Sequence, residues 1–325
     1  MEFMEFIESI KGKQVYIQTH NFPDPDALGS AYGLSKFLEH FGISSILCYD
    51  GKIDKLSTRK ILDIFHIDIR SSEQLTDMVE ESPIILVDSQ KQAGNITDFI
   101  GDEVAVIDHH PTFVPISYQY KDIRMTGSCC TIVSEYFQKY NIEPDTSVAT
   151  ALLYGLKMDT NHFTRSVTEL DIRMYTFLYP YADDSILREL YSNTLEFSDL
   201  SAFSAVFQTI RVFDSIGIAY IPFSCPDALI AMTSDFILSL EGVQFVVVYS
   251  KRELEWKFSV RSEDDKLDAG RIVYQALSDI GSGGGHAAMA GGLVPIEVIR
   301  EMGPHADHKI CNLFLETAKK YGDKP

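Results

Sequence analysis

The sequence predicts an α/β protein: an N-terminal domain built on a parallel sheet with helices on both faces, and a smaller C-terminal domain of mixed α+β type. Three observations carry this reading. The first half alternates short β-branched runs with longer helical segments, which is the pattern of strands joined by crossovers. Apolar runs near the end of the chain follow one another more closely, as hairpins do. A length of 325 residues leaves each half enough chain to bury a core of its own.

Four strands are expected in the first domain: QVYIQT from Gln14, ISSILCY from Ile43, PIILVD from Pro83 and EVAVID from Glu103. Helices follow at 128–140 and 146–156, the second running into Lys157-Met158-Asp159. A helical region from Glu169 to Ser204 contains Pro180 and no strand, and reads as the connection. The expected organisation is a first domain over 1–185, a helical linker over 186–204 and a second domain over 205–325. The second domain restarts with TIRVFDSIGIAYIPF, VQFVVVYS and LEWKFSVRS as hairpins, then a helix over 267–277, a glycine loop GSGGGH and a last helix over 295–321.

Composition narrows the function. Apolar residues at 45% and charged residues at 23% describe a chain that folds. The formal net charge of -19 opposes binding of long duplex DNA or RNA, which depends on many Lys and Arg contacts to phosphate. A short anionic substrate stays compatible if bound cations offset the acidic residues around it. The five cysteines are scattered and form no disulfide framework or paired zinc motif. No stretch has the length and apolarity of a membrane span, and the start lacks a basic region followed by an apolar run. A cytoplasmic enzyme without a membrane partner is expected.

The chemistry gathers at strand ends. In THNFPDPDALGSAYGL, His20 closes the first strand and Asp24 and Asp26 occupy a loop stiffened by Pro23 and Pro25. Read alone, the two carboxylates could equally form turns and cap the following helix. Asp88 ends ILVD, and Asp108, His109 and His110 stand in succession after AVI. Asp159 follows an apolar helix. In open α/β sheets the carboxyl ends of strands line the ligand crevice. Carboxylates gathered there would repel one another unless cations joined them. Two divalent ions sharing a carboxylate suit in-line phosphoryl displacement, and an oxygen-rich donor set favours manganese or magnesium over a thiolate zinc site.

These motifs resemble those of the DHH phosphoesterases. HNFPDPDALGS is similar to their first motif, ILVDS to the second, IDHHP to the third and GLKMDT to the fourth, while FSVRS and GSGGGHAAMAGG resemble the associated DHHA1 domain. The resemblance implies two divalent ions, manganese foremost with magnesium or cobalt as alternatives. It implies His20, Asp24 and Asp88 on one ion, and Asp26, Asp88, His109 and Asp159 on the other. Asp108 would orient a neighbouring ligand, and His110 would face the scissile phosphate. Arg261 with Gly283, Gly284, Gly285 and His286 would receive the rest of the substrate. After Asp159-Thr160 this chain carries Asn161-His162 where many members have glycine, so local contacts are expected to differ. Arg165 is a weaker candidate for the same cleft. His40, His66, His305 and His308 match no motif.

The stand-alone two-domain form is most similar to the nanoRNase (oligoribonuclease) and pAp phosphatase branch. The expected substrate is a short RNA oligonucleotide or dinucleotide such as pApA or pGpG, cut to 5′-mononucleotides. A cyclic di-AMP phosphodiesterase, a polyphosphate or pyrophosphate hydrolase, and a catalytically silent nucleotide-binding regulator remain as alternatives, and a homodimer stays open.

Overall fold

The computed structural model describes residues 2–53, 56–112, 114–192 and 194–322. The chain divides into two compact units, Met1–Thr194 and Leu195–Pro325. That boundary falls inside the 186–204 stretch.

The first unit runs α1 (Phe3–Ile10), β1 (Val15–Gln18), α2 (Pro25–Glu39), β2 (Ser45–Tyr49), α3 (Leu56–Phe65), β3 (Ile69–Ser71), β4 (Pro83–Val87), β5 (Asp102–Asp108), β6 (Tyr120–Ile123), α4 (Cys129–Lys139), α5 (Thr146–Asp159), α6 (Glu169–Leu178) and α7 (Asp184–Tyr191). The six strands form one all-parallel sheet in the order β3-β2-β1-β4-β5-β6. The order reverses between β1 and β4, and such a switch point opens a crevice at the carboxyl ends of its two strands.

Helices on both faces were expected, and here the structure differs. The main core packs α1 to α5 on one face, with Leu28, Phe37, Cys130, Leu152 and Ile61 against Val15, Ile17, Ile85 and Ile107. The opposite face, with Tyr16, Cys48, Ile84, Leu86 and Val106, is closed by Leu75, Met78, Ile96, Phe99 and Tyr118. Among the described residues no α-helix joins that cluster. The physical reason is local: the connections entering and leaving β4 and β5 lack a helix-length apolar stripe and bury single side chains from irregular chain.

Helix starts follow the sequence closely. Asp24 caps α2 by accepting from the backbone N–H of Asp26 and Ala27, with Pro25 in the first turn. Ser128 caps α4, Asp145 caps α5, and a Thr168–Asp171 capping box opens α6. Most of α2 is buried and only weakly amphipathic, as befits a helix enclosed by others.

The second unit runs α8 (Leu200–Thr209), β7 (Arg211–Phe213), β8 (Ile216–Ile221), α9 (Asp227–Leu238), β9 (Phe245–Lys251), β10 (Glu255–Ser262), α10 (Ala269–Leu277), β11 (Ser282–Gly285), β12 (Met289–Pro295), α11 (Ile296–Met302) and α12 (Ala306–Gly322). Its mixed sheet has the order β11-β12-β10-β9-β8-β7. β8 and β9 are parallel and joined by α9, so this connection is a crossover rather than the expected hairpin. The glycine segment is not a loop: residues 282–285 form the edge strand β11, with Gly283 opposite Gly292 and Gly284 opposite Gly291. The last helix is broken at Gly303, whose φ of 74° a right-handed helix cannot hold.

Candidate metal centre

Each candidate residue of the first unit is delivered by a strand or helix terminus at the switch point. His20 follows β1, Asp88 follows β4, and Asp108, His109 and His110 end or follow β5. Parallel pairing sets Val87 beside Ile107, so Asp88 and Asp108 emerge side by side. Asp26 lies in the first turn of α2 and Asp159 is the last residue of α5. At Gly155 the two helices approach backbone to backbone, since a Cβ there would stand 2.8 Å from the Pro25 carbonyl oxygen and 3.1 Å from the Asp26 Cα.

The donors converge on Asp88. Its Oδ2 is 3.5 Å from His20 Nε2, which is 4.0 Å from Asp24 Oδ1. Its Oδ1 is 3.2 Å from His109 Nε2, which is 3.7 Å from Asp26 Oδ2 and 3.4 Å from Asp159 Oδ2. Three overlapping groups are each close enough to hold one ion: His20 with Asp24 and Asp88, Asp26 with His109 and Asp159, and Asp88 with His109 and His110. Two donors each about 2.1 Å from an ion and at right angles stand about 3 Å apart, which is close to several of these separations. Asp88 Oδ1 is buried without a hydrogen-bond partner, and the residue has φ 59°. A buried carboxylate oxygen without a hydrogen-bond partner, on a strained residue, is what cation binding would explain.

Backbone groups fix the ring orientations. His109 Nδ1 donates to the Thr126 carbonyl at 3.1 Å and His20 Nδ1 to the Asn21 carbonyl at 2.8 Å, so both Nε2 atoms face the carboxylates. Asp26 is held at the start of α4, accepting from Cys129 N at 2.7 Å and Cys130 N at 2.9 Å. The electrostatics are those of buried carboxylates crowded together. Burial raises the Asp26 carboxyl far above the usual range, with the charges of Asp88 and Asp159 adding to it. Burial also raises Asp159; His109 pulls it back, Asp24 and Asp88 raise it further, and it ends at about 6. Burial opposes a charge on His20, but the hydrogen bond it donates to Asp88 and the charge of Asp24 outweigh it and push the ring up to about 9. For Asp88 the same burial is outweighed by His109 and His20, which hold the carboxyl below the ordinary range.

Residues 14–156 match the N-terminal domain of the DHH family, and residues 214–310 match the DHHA1 domain. The chain belongs to the DHH/DHHA1 family. It is 28% identical over 318 residues to an uncharacterised protein of Methanocaldococcus jannaschii, covering 97% of this chain and 64% of that one. It is 27% identical over 303 residues to a cyclic-di-AMP phosphodiesterase of Geobacillus thermodenitrificans, covering 85% of this chain and 44% of that one. The chain therefore spans under two thirds of the length of both relatives. In fold it is similar to an exopolyphosphatase-related protein from Bacteroides fragilis, with a TM-score of 0.75, 17% identity and 96% of each chain covered.

In this DHH-family chain Asp108 is apart from the other carboxylates in its contacts. Its Oδ1 accepts from the His109 backbone N–H at 2.8 Å and pairs with His110 Nδ1 at 2.8 Å, while Oδ2 accepts from Gln90 Nε2 at 2.7 Å. Gln90 also donates to the His110 carbonyl, and was not singled out from the sequence. Asp171 was missed too. Fully buried, it accepts from the Gly127 and Thr168 backbone N–H groups and from the Thr131 hydroxyl, and so ties down the loop whose Thr126 carbonyl holds His109. The Thr168-x-x-Asp171 box was legible as a helix start, but its reach to Gly127 was not. Arg165 donates to the Asp159 carbonyl at 2.8 Å, so it is placed beside the cluster. Asn161 and His162 adopt φ of 46° and 58°, and the His162 ring packs on Tyr191.

The DHHA1 candidates lie in the second unit. Arg261 is on β10, with Nε donating to Asp235 at 2.6 Å and Nη1 to Ser259 Oγ and the Val260 carbonyl. Gly283 to Gly285 lie on β11, and His286 is exposed at the turn into β12, with its N–H donating to the Met289 carbonyl. A Cβ on Gly283 would stand 2.3 Å from Val273 Cγ1 and one on Gly285 2.4 Å from the Met289 oxygen, so packing demands both. Gly284 would meet nothing within 4 Å. Among the described residues no helix is long and apolar enough to cross a membrane.

Proposed function

We propose that this chain is a two-metal phosphodiesterase that hydrolyses short RNA oligonucleotides or dinucleotides of the pApA and pGpG type to 5′-mononucleotides. The observation that carries the reading is Asp88, whose two oxygens face two different histidines and whose Oδ1 is buried without a hydrogen-bond partner. His20, Asp24 and Asp88 hold one divalent ion. Asp26, Asp88, His109 and Asp159 hold the other. Manganese fits this mixture of carboxylate and imidazole, with magnesium and cobalt as alternatives. When bound, the pair supplies charge neutralisation at the phosphate and an acidified water.

The chain's own residues do the rest. Asp108 fixes the His110 ring through Nδ1, which assigns Nε2 to the substrate. As water adds to phosphorus and the P–O3′ bond breaks, His110 hands a proton to the leaving 3′ oxygen, giving a free 3′-hydroxyl and a 5′-phosphate. Gln90 keeps Asp108 in place. In the second unit, Arg261, Gly283, Gly284, Gly285 and His286 recognise the nucleotide. Gly284 supports this, because nothing in the chain's own packing calls for glycine there.

A cyclic di-AMP phosphodiesterase is the second reading, favoured by the 27% identity to such an enzyme. Initial rates with Mn²⁺ on pApA, pGpG, longer RNA, cyclic di-AMP, pAp and pyrophosphate separate the two. Fastest release of mononucleotides from pApA or pGpG is expected. Faster opening of cyclic di-AMP, with pApA accumulating, would establish the second reading, and a preference for pyrophosphate would refute both.

A further inference from the structure

The loop between β1 and α2 holds an aromatic side chain that metal binding does not use. Phe22 stands two residues after His20 and two before Asp24, yet 62% of it is exposed. Its φ is 59°, a left-handed conformation that is strained for a bulky residue and persists only where the surroundings impose it.

The surroundings do impose it. Phe22 N donates to the Asp50 carbonyl at 3.3 Å, and Asn21 N donates to the Asn95 carbonyl at 2.7 Å. The Asn21 amide donates to Thr97 Oγ1 at 3.0 Å, and that hydroxyl donates in turn to Asp50 Oδ2 at 2.7 Å. Ser72 Oγ closes the set by donating to the other oxygen of Asp50 at 2.6 Å. The ring lies beside Gly51, where a Cβ would stand 3.1 to 3.3 Å from three of its carbons. Main chain thus supports one side of the ring while most of its surface faces solvent. A side chain held this firmly, without being buried, is pre-organised for something that arrives from outside.

We propose that Phe22 is a stacking platform for a nucleobase of the nucleotide whose phosphate binds at His20, Asp24 and Asp88. This rests on the phosphoesterase reading of that cluster. Two residues of chain extend at most about 7 Å, which keeps the Phe22 backbone within one nucleotide's reach of both His20 and Asp24. Stacking accepts any base, because every base has a π-face, and its loss on alanine substitution weakens binding by about 5- to 100-fold. Phe22 therefore adds base affinity in the first unit without selecting among bases.

Calorimetric titration of the Mn²⁺-loaded chain with AMP and with ribose 5-phosphate tests this. The wild-type chain binds AMP about 5- to 100-fold more tightly, Phe22→Ala brings the two ligands to near equality, and Phe22→Trp keeps the difference. Mn²⁺ affinity stays the same in all three. A wild-type chain that binds both ligands equally, or a Phe22→Ala variant that keeps the preference for AMP, overturns the platform alone. A variant that loses Mn²⁺ also overturns it, since the ring would then serve the loop. Binding of neither ligand to the Mn²⁺-loaded wild type overturns the phosphate site beneath it as well.

Discussion

Asp88 Oδ1 and His109 Nε2 stand 3.2 Å apart across the ends of neighbouring strands, while the other oxygen of the same carboxylate faces His20 at 3.5 Å. One side chain thus belongs to both halves of the cluster. If it bridges two ions, nothing else in the site can replace it.

The first prediction follows from that sharing. Mn²⁺ added to metal-free protein raises its melting temperature, because an ion that binds only the folded state at 100 times its Kd contributes about 2.7 kcal/mol. For a domain the size of the first unit this is roughly 5–10 °C. Asp88→Asn removes most of the rise and lowers hydrolysis by about a hundredfold or more. Differential scanning with Mn²⁺ and with chelator measures it, and an Asp88→Asn protein with the full shift would refute the bridge.

A second prediction concerns Asp171, which contacts no candidate ligand. Asp171→Ala leaves the Gly127 and Thr168 N–H groups and the Thr131 hydroxyl without their acceptor in a buried place. The expected loss is about 3 kcal/mol or more in urea denaturation of the whole chain. A loss below about 1 kcal/mol would mean that the loop under His109 is held by something else.

The third compares neighbouring glycines. Gly283→Ala drives a methyl group into Val273 and destabilises the second unit by about 1–3 kcal/mol. Gly284→Ala changes stability by less than about 0.5 kcal/mol, since its Cβ meets nothing. If β11 binds nucleotide, Gly284→Ala nevertheless raises KM for dinucleotides. Steady-state kinetics on a variant of wild-type stability decides this, and an unchanged KM removes Gly284 from the substrate site.

The sequence was most legible where chemistry and strand ends coincide. His20, Asp88 and the Asp108–His110 run stand at the ends of β-branched segments, and the structure brings them together with Asp24, Asp26 and Asp159. What escaped depends on long-range placement. Gln90 follows Asp88 by two positions, but only the fold shows that it reaches Asp108. The β11 glycines resemble a loop in sequence because the atoms that exclude larger residues, the Val273 side chain of α10 at Gly283 and the Met289 oxygen of β12 at Gly285, come from other elements. Helix α9 was overlooked as the hairpin reading joined β8 to β9 directly. The face of the first sheet closed by Met78 and Phe99 was assigned helices, since alternation of strand and loop does not tell a helix from an irregular crossover.

The contact between α2 and α5 bears on how freely this chain can change over time. Asp26 and Asp159 are positioned by main chain meeting main chain at Gly155, with the Cys130 thiol 2.5 Å from where a Cβ would be. A methyl group at 155 would press on the Pro25 carbonyl and the Asp26 Cα, and one at 29 on the Ala151 carbonyl, so the spacing of the cluster leans on positions that carry no chemistry of their own.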